Sequence, residues 1–314
     1  MAIPSNPGDL YVVDDFGDIV DGDHGPGQLT LREAIGLANA DPDPDTITFD
    51  LGDAATIVLD GDELVVEADL LLDAEERAIT VDADGTSRVL RATGEGTELT
   101  LDGLTVTGGR AVDVSMNLPD SAGYGGGIRA DSGTTVTLRN SVLKGNSAEF
   151  GGGLSGDKIV VIDSEISNNS ASSIFMYKYY GPTFGYGQGG GIYGVDVTIE
   201  RSVFANNIAS AGMDVWNPYP GQGGGVYASS VDVRESLFLN NQAEQLLYWD
   251  DTIDAGAGAA INANTALIDS STVVDTAAEI SEDAANWQRL VATGEGGGRI
   301  INSTLLADTG SALV

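Results

Sequence analysis

The chain has 314 residues, 42% of them hydrophobic, and a formal net charge of −34 from 48 acidic and 14 basic residues. So strong a negative charge repels nucleic acids and anionic membranes, which makes both poor candidates for partners. High salt or bound divalent cations would screen this charge. The absence of cysteine excludes disulfides and thiolate chemistry, and no apolar run reaches the roughly 18 residues of a membrane-spanning helix.

The N-terminal segment is rich in aspartate and lacks the basic and apolar stretches of a secretory signal peptide. The segment 14–27 places five aspartates among turn-forming glycines, namely Asp14, Asp15, Asp18, Asp21 and Asp23. Carboxylates on flexible glycine loops suit Ca²⁺, although the full spacing of an EF-hand is absent. These five residues are therefore candidate calcium ligands, and a solvated acidic loop is the alternative. The single histidine, His24, is interpreted as a surface residue of the same loop.

The stretch LTLREAIGLANA at 29–40 predicts the one helix of the chain. Thr30 can cap this helix together with Glu33, which follows it three residues later. Three apolar residues fall on one helix face: Leu31, Ile35 and Ala38. Such a short amphipathic helix would cover the exposed apolar end of a stack of strands.

The rest of the chain is a repeat of short strands separated by glycine and asparagine. Four strands end alike, at 141–146, 164–169, 202–207 and 236–241. Glycine clusters open the corresponding units at 125–128, 151–154, 189–192 and 223–226. Each strand alternates apolar and polar residues, which is typical of a strand with one buried face.

This repeat predicts an all-β fold, a parallel β-helix (solenoid) in which equivalent strands of successive coils stack about 4.8 Å apart. Asparagine tolerates left-handed backbone angles and can bond to the asparagine one coil away, so the repeated Asn and Gly residues are expected to be scaffold. We predict an N-terminal cap over 1–50 and one continuous β-helix over 51–314, which could be a fragment of a longer protein.

Two motifs carry a resemblance to known families. LTLREAIGLAN followed by DTITF resembles the N-terminal signature Cys-Ser-Leu-Arg-Glu-Ala…Asp-Thr-Ile-Xaa-Phe of bacterial and archaeal surface β-helix proteins, with Leu29 and Thr30 where Cys and Ser often stand. The GGGI, GGGL, GGGV, FANN and FLNN repeats are similar to those of polymorphic outer-membrane autotransporter passengers. The resemblance implies a right-handed β-helix on a cell surface or in a secreted product, commonly adhesive, and implies no particular activity.

Most coils carry an insert between the asparagine position and the next glycine cluster. These inserts lie at 170–188, 208–222, 242–257 and 277–295. They are rich in aromatic residues, of which seven are candidate ligand-binding residues: Tyr179, Tyr186, Trp216, Tyr219, Tyr248, Trp249 and Trp287. Aromatic rings beside polar groups suit sugars or a cell-surface protein, and packing of the inserts against the solenoid is the alternative.

Catalysis has a weaker basis in the sequence. A glycoside hydrolase needs only two carboxylates about 5–10 Å apart, and four aspartates of the inserts could supply them: Asp214, Asp250, Asp251 and Asp254. A polysaccharide lyase would also need basic residues, which are scarce in this chain. We therefore expect an extracellular or cell-surface binding protein, adhesin-like, with an enzyme as one alternative and end-to-end self-association into a filament as the other.

Overall fold

The computed structural model describes residues 8–40, 42–111, 123–172, 187–211, 221–246, 253–255, 259–275, 291–293 and 298–307. Within these ranges the chain forms one helix and 29 short strands. No helix in the described part has the length and apolarity needed to cross a lipid bilayer.

The N-terminal part of the chain, up to residue 111, contains the helix α1 (Leu31–Ala38) and ten strands. In chain order these strands are β1 (Leu10–Val13), β2 (Asp45–Phe49), β3 (Ala54–Val58), β4 (Leu64–Val66), β5 (Leu70–Asp73), β6 (Ala78–Asp82), β7 (Leu90–Ala92), β8 (Glu98–Asp102), β9 (Leu104–Thr107) and β10 (Arg110–Ala111).

The part of the chain with the regular repeat contains the other nineteen strands. They are β11 (Ile128–Ala130), β12 (Thr135–Arg139), β13 (Val142–Lys144), β14 (Ser147–Ala148), β15 (Leu154–Ile162), β16 (Glu165–Ser167), β17 (Ser170–Ser172), β18 (Ile192–Glu200), β19 (Val203–Ala205), β20 (Ile208–Ala211), β21 (Val226–Arg234), β22 (Leu237–Leu239), β23 (Gln242–Leu246), β24 (Ile253–Ala255), β25 (Ile261–Asp269), β26 (Thr272–Asp275), β27 (Val291–Thr293), β28 (Gly298–Ile301) and β29 (Thr304–Ala307).

These strands form three sheets that run along the molecule, with 14, 9 and 6 strands. From β10 to β23 each successive coil adds a strand to each of the three sheets, as in the pairing of β15 with β18 and of β18 with β21 in the first sheet. Among the described pairs all are parallel except β23 with β24. The predicted parallel β-helix is therefore confirmed. The strands β1 and β2, which lie inside the predicted cap 1–50, belong to the 14-stranded first sheet. The division of the chain into a cap (1–50) and a β-helix (51–314) stays a prediction.

The interior of the solenoid is filled by ladders of apolar side chains, one from each coil. Ile128, Leu154, Ile192, Val226 and Ile261 occupy equivalent positions in the first sheet and are all fully buried. In the second sheet the rings of Phe204 and Phe238 stack with centroids 4.8 Å apart. Burial of one face of every strand is the main stabilisation of such a stack, since each coil covers the apolar surface of its neighbour.

The two asparagines of each Asn-Asn pair have different roles in the structure. The second residue is fully buried and forms a side-chain ladder in which each amide donates to the carbonyl oxygen of the next coil, at 2.9–3.0 Å. This ladder consists of Asn146, Asn169, Asn207 and Asn241, and in the first of these coils Gly145 stands in place of the first asparagine. The first residue of the pair is the one with left-handed backbone angles, as in Asn168 and Asn206 (φ 55° and 56°).

A second corner combines a turn residue of positive φ with a buried serine. The backbone N–H of each serine donates to the hydroxyl of the serine one coil later, at 3.1–3.2 Å, in five bonds that run along Ser141, Ser164, Ser202, Ser236, Ser271 and the half-buried Ser303. The residue directly before each serine has φ between 47° and 51°, in the order Asn140, Asp163, Arg201, Glu235, Ser270 and Asn302. Only two of these six are asparagine, the non-glycine residue best suited to that conformation.

Replacing Glu235 by asparagine should therefore raise the free energy of unfolding by about 0.5–1 kcal/mol, because the left-handed backbone is less costly for asparagine. Glu235 is exposed, and its backbone N–H bond to Asp269 does not depend on the side chain. Urea unfolding would measure the change. Glu165→Asn, at an exposed strand position of β16, is the matched control and should give no gain. Equal gains in both variants would contradict this explanation.

The helix α1 begins after Thr30, and the predicted capping box with Glu33 is present. Its predicted apolar face is buried and packs against β1, β2 and β4, at the first coils of the solenoid. Glu33 is itself buried and accepts the backbone N–H groups of Asp21 and Gly22 at 3.0 and 2.9 Å. Burial acts to raise the pKa of Glu33, but these hydrogen bonds and those from Thr30 outweigh it, so the pKa lies below its ordinary value.

A depressed pKa means that the charged form of Glu33 stabilises the fold above the unfolded pKa of about 4.3, and that this contribution disappears as the pH falls through the folded value. We expect Glu33→Gln to lower the free energy of unfolding by about 1 kcal/mol at pH 7. The difference from the wild type should shrink on acidification below about pH 4. Urea unfolding at a series of pH values would test this, and a difference that stays constant with pH would contradict it.

Candidate functional site

The candidate site lies on the outer face of the first sheet, where the short strands β7 and β11 continue into the first halves of β15, β18 and β21. One outward position in each coil forms a ladder across this face. Its members, in coil order, are Arg91, Arg129, Ser155, Tyr193 and Tyr227.

A second ladder runs beside the first, formed by the residue that precedes each glycine triplet. Its members are Tyr124, Phe150, Gln188 and Gln222, linked by parallel bridges. Gly125 and Gly151, directly after the first two, have φ of 60° and 63°, a conformation that glycine adopts without strain. An ideal Cβ on Gly151 would lie 2.2 Å from the carbonyl oxygen of Leu154, so no side chain fits there.

The rings of both ladders form one aromatic strip across four coils, composed of Tyr124, Phe150, Tyr193 and Tyr227. Tyr124 stacks on Phe150 with centroids 4.8 Å apart, and Tyr193 stacks on Tyr227 at 5.5 Å with nearly parallel planes. The two pairs meet at Phe150 and Tyr193, 5.5 Å apart and tilted. All four rings are half-buried, so the aromatic strip both packs on the sheet and presents surface to solvent.

A cavity of about 160 Å³ opens beside the aromatic strip. Tyr124 and Tyr193 contribute aromatic rings to its lining. Its polar lining consists of Arg129, Asp131, Ser132, Ser155 and Asp157. Ser155 is buried and small, so it leaves room where the neighbouring coils carry Arg129 and Tyr193. The cavity therefore combines two phenol rings, a guanidinium, two carboxylates and hydroxyls at one place.

An ion-pair network that includes Arg129 and Asp131 of the lining fixes the position of the charged groups of the cavity. Arg129 Nε lies 2.6 Å from Asp131 Oδ1, and Arg91 Nη2 lies 2.5 Å from Asp131 Oδ2. Arg91 also approaches Glu63 at 3.8 Å, and Glu63 binds the buried Arg88. Three of the 14 basic residues of this acidic chain are thus gathered at one place.

The network keeps Asp131 charged. Burial acts to raise its pKa, but the hydrogen bond from Arg91 and the charge of Arg129 outweigh burial, so the pKa lies below the usual range of an aspartate. The carboxylate of Asp131 is therefore an acceptor and not a proton donor at neutral pH. The guanidinium of Arg129 also lies 5.8 Å from the ring centroid of Tyr124, within the range of a cation–π contact.

The Arg88 side chain connects this network to the backbone below the aromatic strip. It is 8% exposed, and its Nε donates to the carbonyl oxygens of Tyr124 and Gly125 at 3.1 and 2.7 Å. Because the same guanidinium binds Glu63, the turn that carries Tyr124 is held relative to the arginine cluster. A site supported in this way is pre-organised, which lowers the cost of ordering it on binding.

The sequence-predicted aromatic residues of the inserts lie outside the described residues, so their role stays a prediction. They are Tyr179, Tyr186, Trp216, Tyr219, Tyr248, Trp249 and Trp287. The first residues of three inserts are described, and they form the neighbouring strands β17, β20 and β23 of the six-stranded third sheet. The inserts therefore leave the solenoid from one sheet.

Three of the predicted catalytic aspartates, Asp214, Asp250 and Asp251, also lie outside the described residues. Asp254 lies in β24, which pairs antiparallel with β23 and places its Cα opposite that of Gln245. The catalytic assignment of these four residues stays a prediction.

The acidic N-terminal loop holds its carboxylates in internal hydrogen bonds. Asp14 accepts the N–H groups of Gly27 and Leu29, and the Gly27 bond is the main cause that lowers its pKa. Asp18 forms a bidentate pair with Arg32 at 2.8 Å.

The three remaining aspartates of the loop each accept a backbone N–H two residues later; they are Asp15, Asp21 and Asp23. Among the described residues, no group of three or more histidine or acidic side chains is arranged to hold a metal ion. Calcium binding by this loop stays a prediction, for which a titration with CaCl₂ is the test. His24 is exposed in the same loop.

Sequence reasoning missed the cluster of Glu63, Arg88, Arg91, Arg129 and Asp131, and it missed the cavity. Two signals in the sequence point to them. The tripeptides LRA at 90–92 and IRA at 128–130 repeat an outward arginine, and the residue before the glycine triplet changes from Tyr and Phe in two coils to Gln in the next two. The second signal becomes readable only when the coils are aligned on the glycine triplets, and the first only when 90–92 is placed in register with 128–130.

No protein-family model and no curated protein sequence matches the chain. Two solved structures are similar over 98% of its length. Jun a 1, the major allergen from cedar pollen, has 15% identity, a TM-score of 0.46 and 79% of its own chain covered. YbhC from Escherichia coli has 12% identity, a TM-score of 0.39 and 86% covered. At these values neither assigns a family, an activity or a ligand, and the fold assignment rests on the strand pairing of the chain itself.

Proposed function

We propose that this protein is an adhesin-like binding protein of a cell surface or secreted product, which recognises a glycan on the outer face of the first sheet. The observation that carries the proposal is the cavity whose lining combines the rings of Tyr124 and Tyr193 with Arg129, Asp131 and Asp157. The extracellular location is part of the proposal.

The groups that line the cavity complement the apolar faces and the hydroxyls of a sugar. A pyranose has apolar C–H faces, which favour contact with aromatic rings, and a rim of hydroxyls that both donate and accept hydrogen bonds. Tyr124 and Tyr193 supply the rings, the carboxylates of Asp131 and Asp157 accept, and the guanidinium of Arg129 donates. A cavity of about 160 Å³ has the volume of about five water molecules, so it suits one sugar unit of a longer chain.

The aromatic strip continues beyond the cavity to Tyr227. Coils repeat about every 4.8 Å, which is close to the length of one sugar unit in an extended glycan. Neighbouring units of the glycan would therefore meet neighbouring coils. The aromatic residues of the inserts, such as Tyr186 two residues before Gln188, would extend this surface.

The test is a panel of neutral and anionic oligosaccharides of about four units, measured by isothermal titration calorimetry with the full chain. In parallel, each mixture is assayed for new reducing ends and for the absorbance of unsaturated products. We expect at least one saccharide to bind without being cleaved. Cleavage would instead establish the enzyme alternative, a polysaccharide lyase or glycoside hydrolase. Neither binding nor cleavage across the panel would overturn the proposal.

End-to-end self-association is the second candidate, and one observation favours it. β1 is the terminal strand of the first sheet, pairs with β2 alone among the described strands, and leaves Leu10 64% and Val12 41% exposed. A terminal strand of this kind can accept a strand from a second copy of the chain. Size-exclusion chromatography over a range of concentrations tests this; growth of the assembly with concentration supports a filament, and a constant monomer excludes it.

A further inference from the structure

We propose that the cavity accepts a neutral sugar unit and rejects an acidic one, and that Asp157 is the residue that sets this preference. This inference rests on the proposed function, since it concerns the charge of the saccharide bound at the same cavity. It follows from the way in which the charges around the cavity are paired.

Each of the three guanidinium groups near the cavity already contacts a carboxylate. Arg129 and Arg91 both bind Asp131, at 2.6 and 2.5 Å, and Arg91 and Arg88 share Glu63. The three arginines and two carboxylates of the network sum to a charge of +1, and this charge lies on side chains already engaged in ion pairs. An incoming carboxylate or sulfate would have to compete with Asp131 for Arg129 in order to gain a charged partner.

Asp157 adds a further negative charge on the lining of the cavity. Its Oδ2 accepts the hydroxyl of Ser132 at 2.7 Å, and Ser132 lines the cavity as well. The lining thus contains two carboxylates, Asp131 and Asp157, and one guanidinium, Arg129. The next residue, Lys158, is exposed but is not among the residues that line the cavity.

These charges favour hydroxyls over acidic groups. A carboxylate can accept two hydrogen bonds from the vicinal hydroxyls of a neutral sugar, whereas it repels a uronate placed at the same distance. The net charge of −34 opposes an anionic ligand further. Rejection by an unfavourable charge at the site is a common means of specificity.

The experiment uses one neutral oligosaccharide that binds in the panel, prepared in three forms. The first is unmodified, the second is oxidised at C6 to the uronate, and the third is the methyl ester of that uronate. The ester restores neutrality while it keeps the added bulk. Affinities are measured by calorimetry for the wild type, for Asp157→Asn, and for the control Asp196→Asn, which alters an exposed aspartate outside the cavity lining.

We expect the wild type to bind the uronate about tenfold or more weakly than the neutral form, and the ester to regain most of this loss. Asp157→Asn should recover about fivefold of the affinity for the uronate, whereas Asp196→Asn should recover little. The inference is overturned if uronate and ester lose affinity equally, if the uronate binds as well as the neutral form, or if both variants recover binding alike. If no saccharide binds at all, the proposed function itself fails.

Discussion

Asn207→Leu is expected to lower the free energy of unfolding by about 4 kcal/mol or more, because four hydrogen bonds of a fully buried side chain disappear together. Asn207 accepts the backbone N–H and the side-chain amide of Asn169, at 3.1 and 3.0 Å. It donates to the carbonyl oxygens of Ile166 and of the Asn241 side chain, at 2.8 and 2.9 Å. Leucine has a similar volume but leaves these partners buried without a hydrogen bond.

The chain offers a matched control in the adjacent residue. Asn206 is exposed and has φ of 56°, so Asn206→Gly keeps the backbone conformation and removes no buried contact. We expect this variant to lie within about 0.5 kcal/mol of the wild type. Urea unfolding of both variants is the measurement. If both variants lost the same stability, the buried amide ladder would not be the feature that holds this corner of the coils together.

Tyr193→Ala should weaken saccharide binding by about 10- to 100-fold, which is the second large effect that we expect. Tyr193 lines the cavity together with Asp131 and Asp157, and its ring is one of the two aromatic rings of the lining. Loss of the ring removes the surface on which the sugar face packs. Isothermal titration calorimetry with the saccharide identified in the panel measures the effect.

Tyr227→Ala is the control for the loss of an aromatic ring as such. Tyr227 occupies the equivalent position one coil further on and stacks on Tyr193 with an interplanar angle of 2°, but it is not part of the cavity lining. Both variants lose the contact between Tyr193 and Tyr227, but Tyr193→Ala also loses those with Tyr124 and Phe150, so its loss of stability should be the larger. Tyr227→Ala should weaken binding by no more than about threefold. Equal losses of affinity in the two variants would contradict the assignment of the cavity as the sugar site.

The fold could be predicted from the sequence because successive coils of a solenoid repeat the same pattern of strands and turns. Glycine triplets open four successive coils and Asn-Asn ends three of the repeated strands, so the units can be aligned with one another and an ambiguous unit is interpreted from its neighbours. The separate roles of Asn206 and Asn207 could not be predicted in the same way. Asparagine suits both a left-handed turn and a side-chain ladder. The packing of the neighbouring coils decides which of the two side chains points inward.

The candidate site was harder to predict for a physical reason. Tyr124, Arg129, Asp157 and Tyr193 are distant in sequence and meet only through the register of β11, β15 and β18. Composition directs attention to the inserts, where the tryptophans lie, and not to single tyrosines beside glycine triplets. The role of Glu63 could not be predicted either, because nothing near it in the chain indicates that it binds Arg88.

The most direct test of the central claim is a crystal structure of the protein with the saccharide that binds most tightly in the panel. We predict density for one sugar unit in the cavity, in contact with Tyr193 and within hydrogen-bond distance of Asp157 and Arg129. The remaining units should run across successive coils along the aromatic strip. A saccharide bound elsewhere, with the cavity unoccupied, would contradict the account.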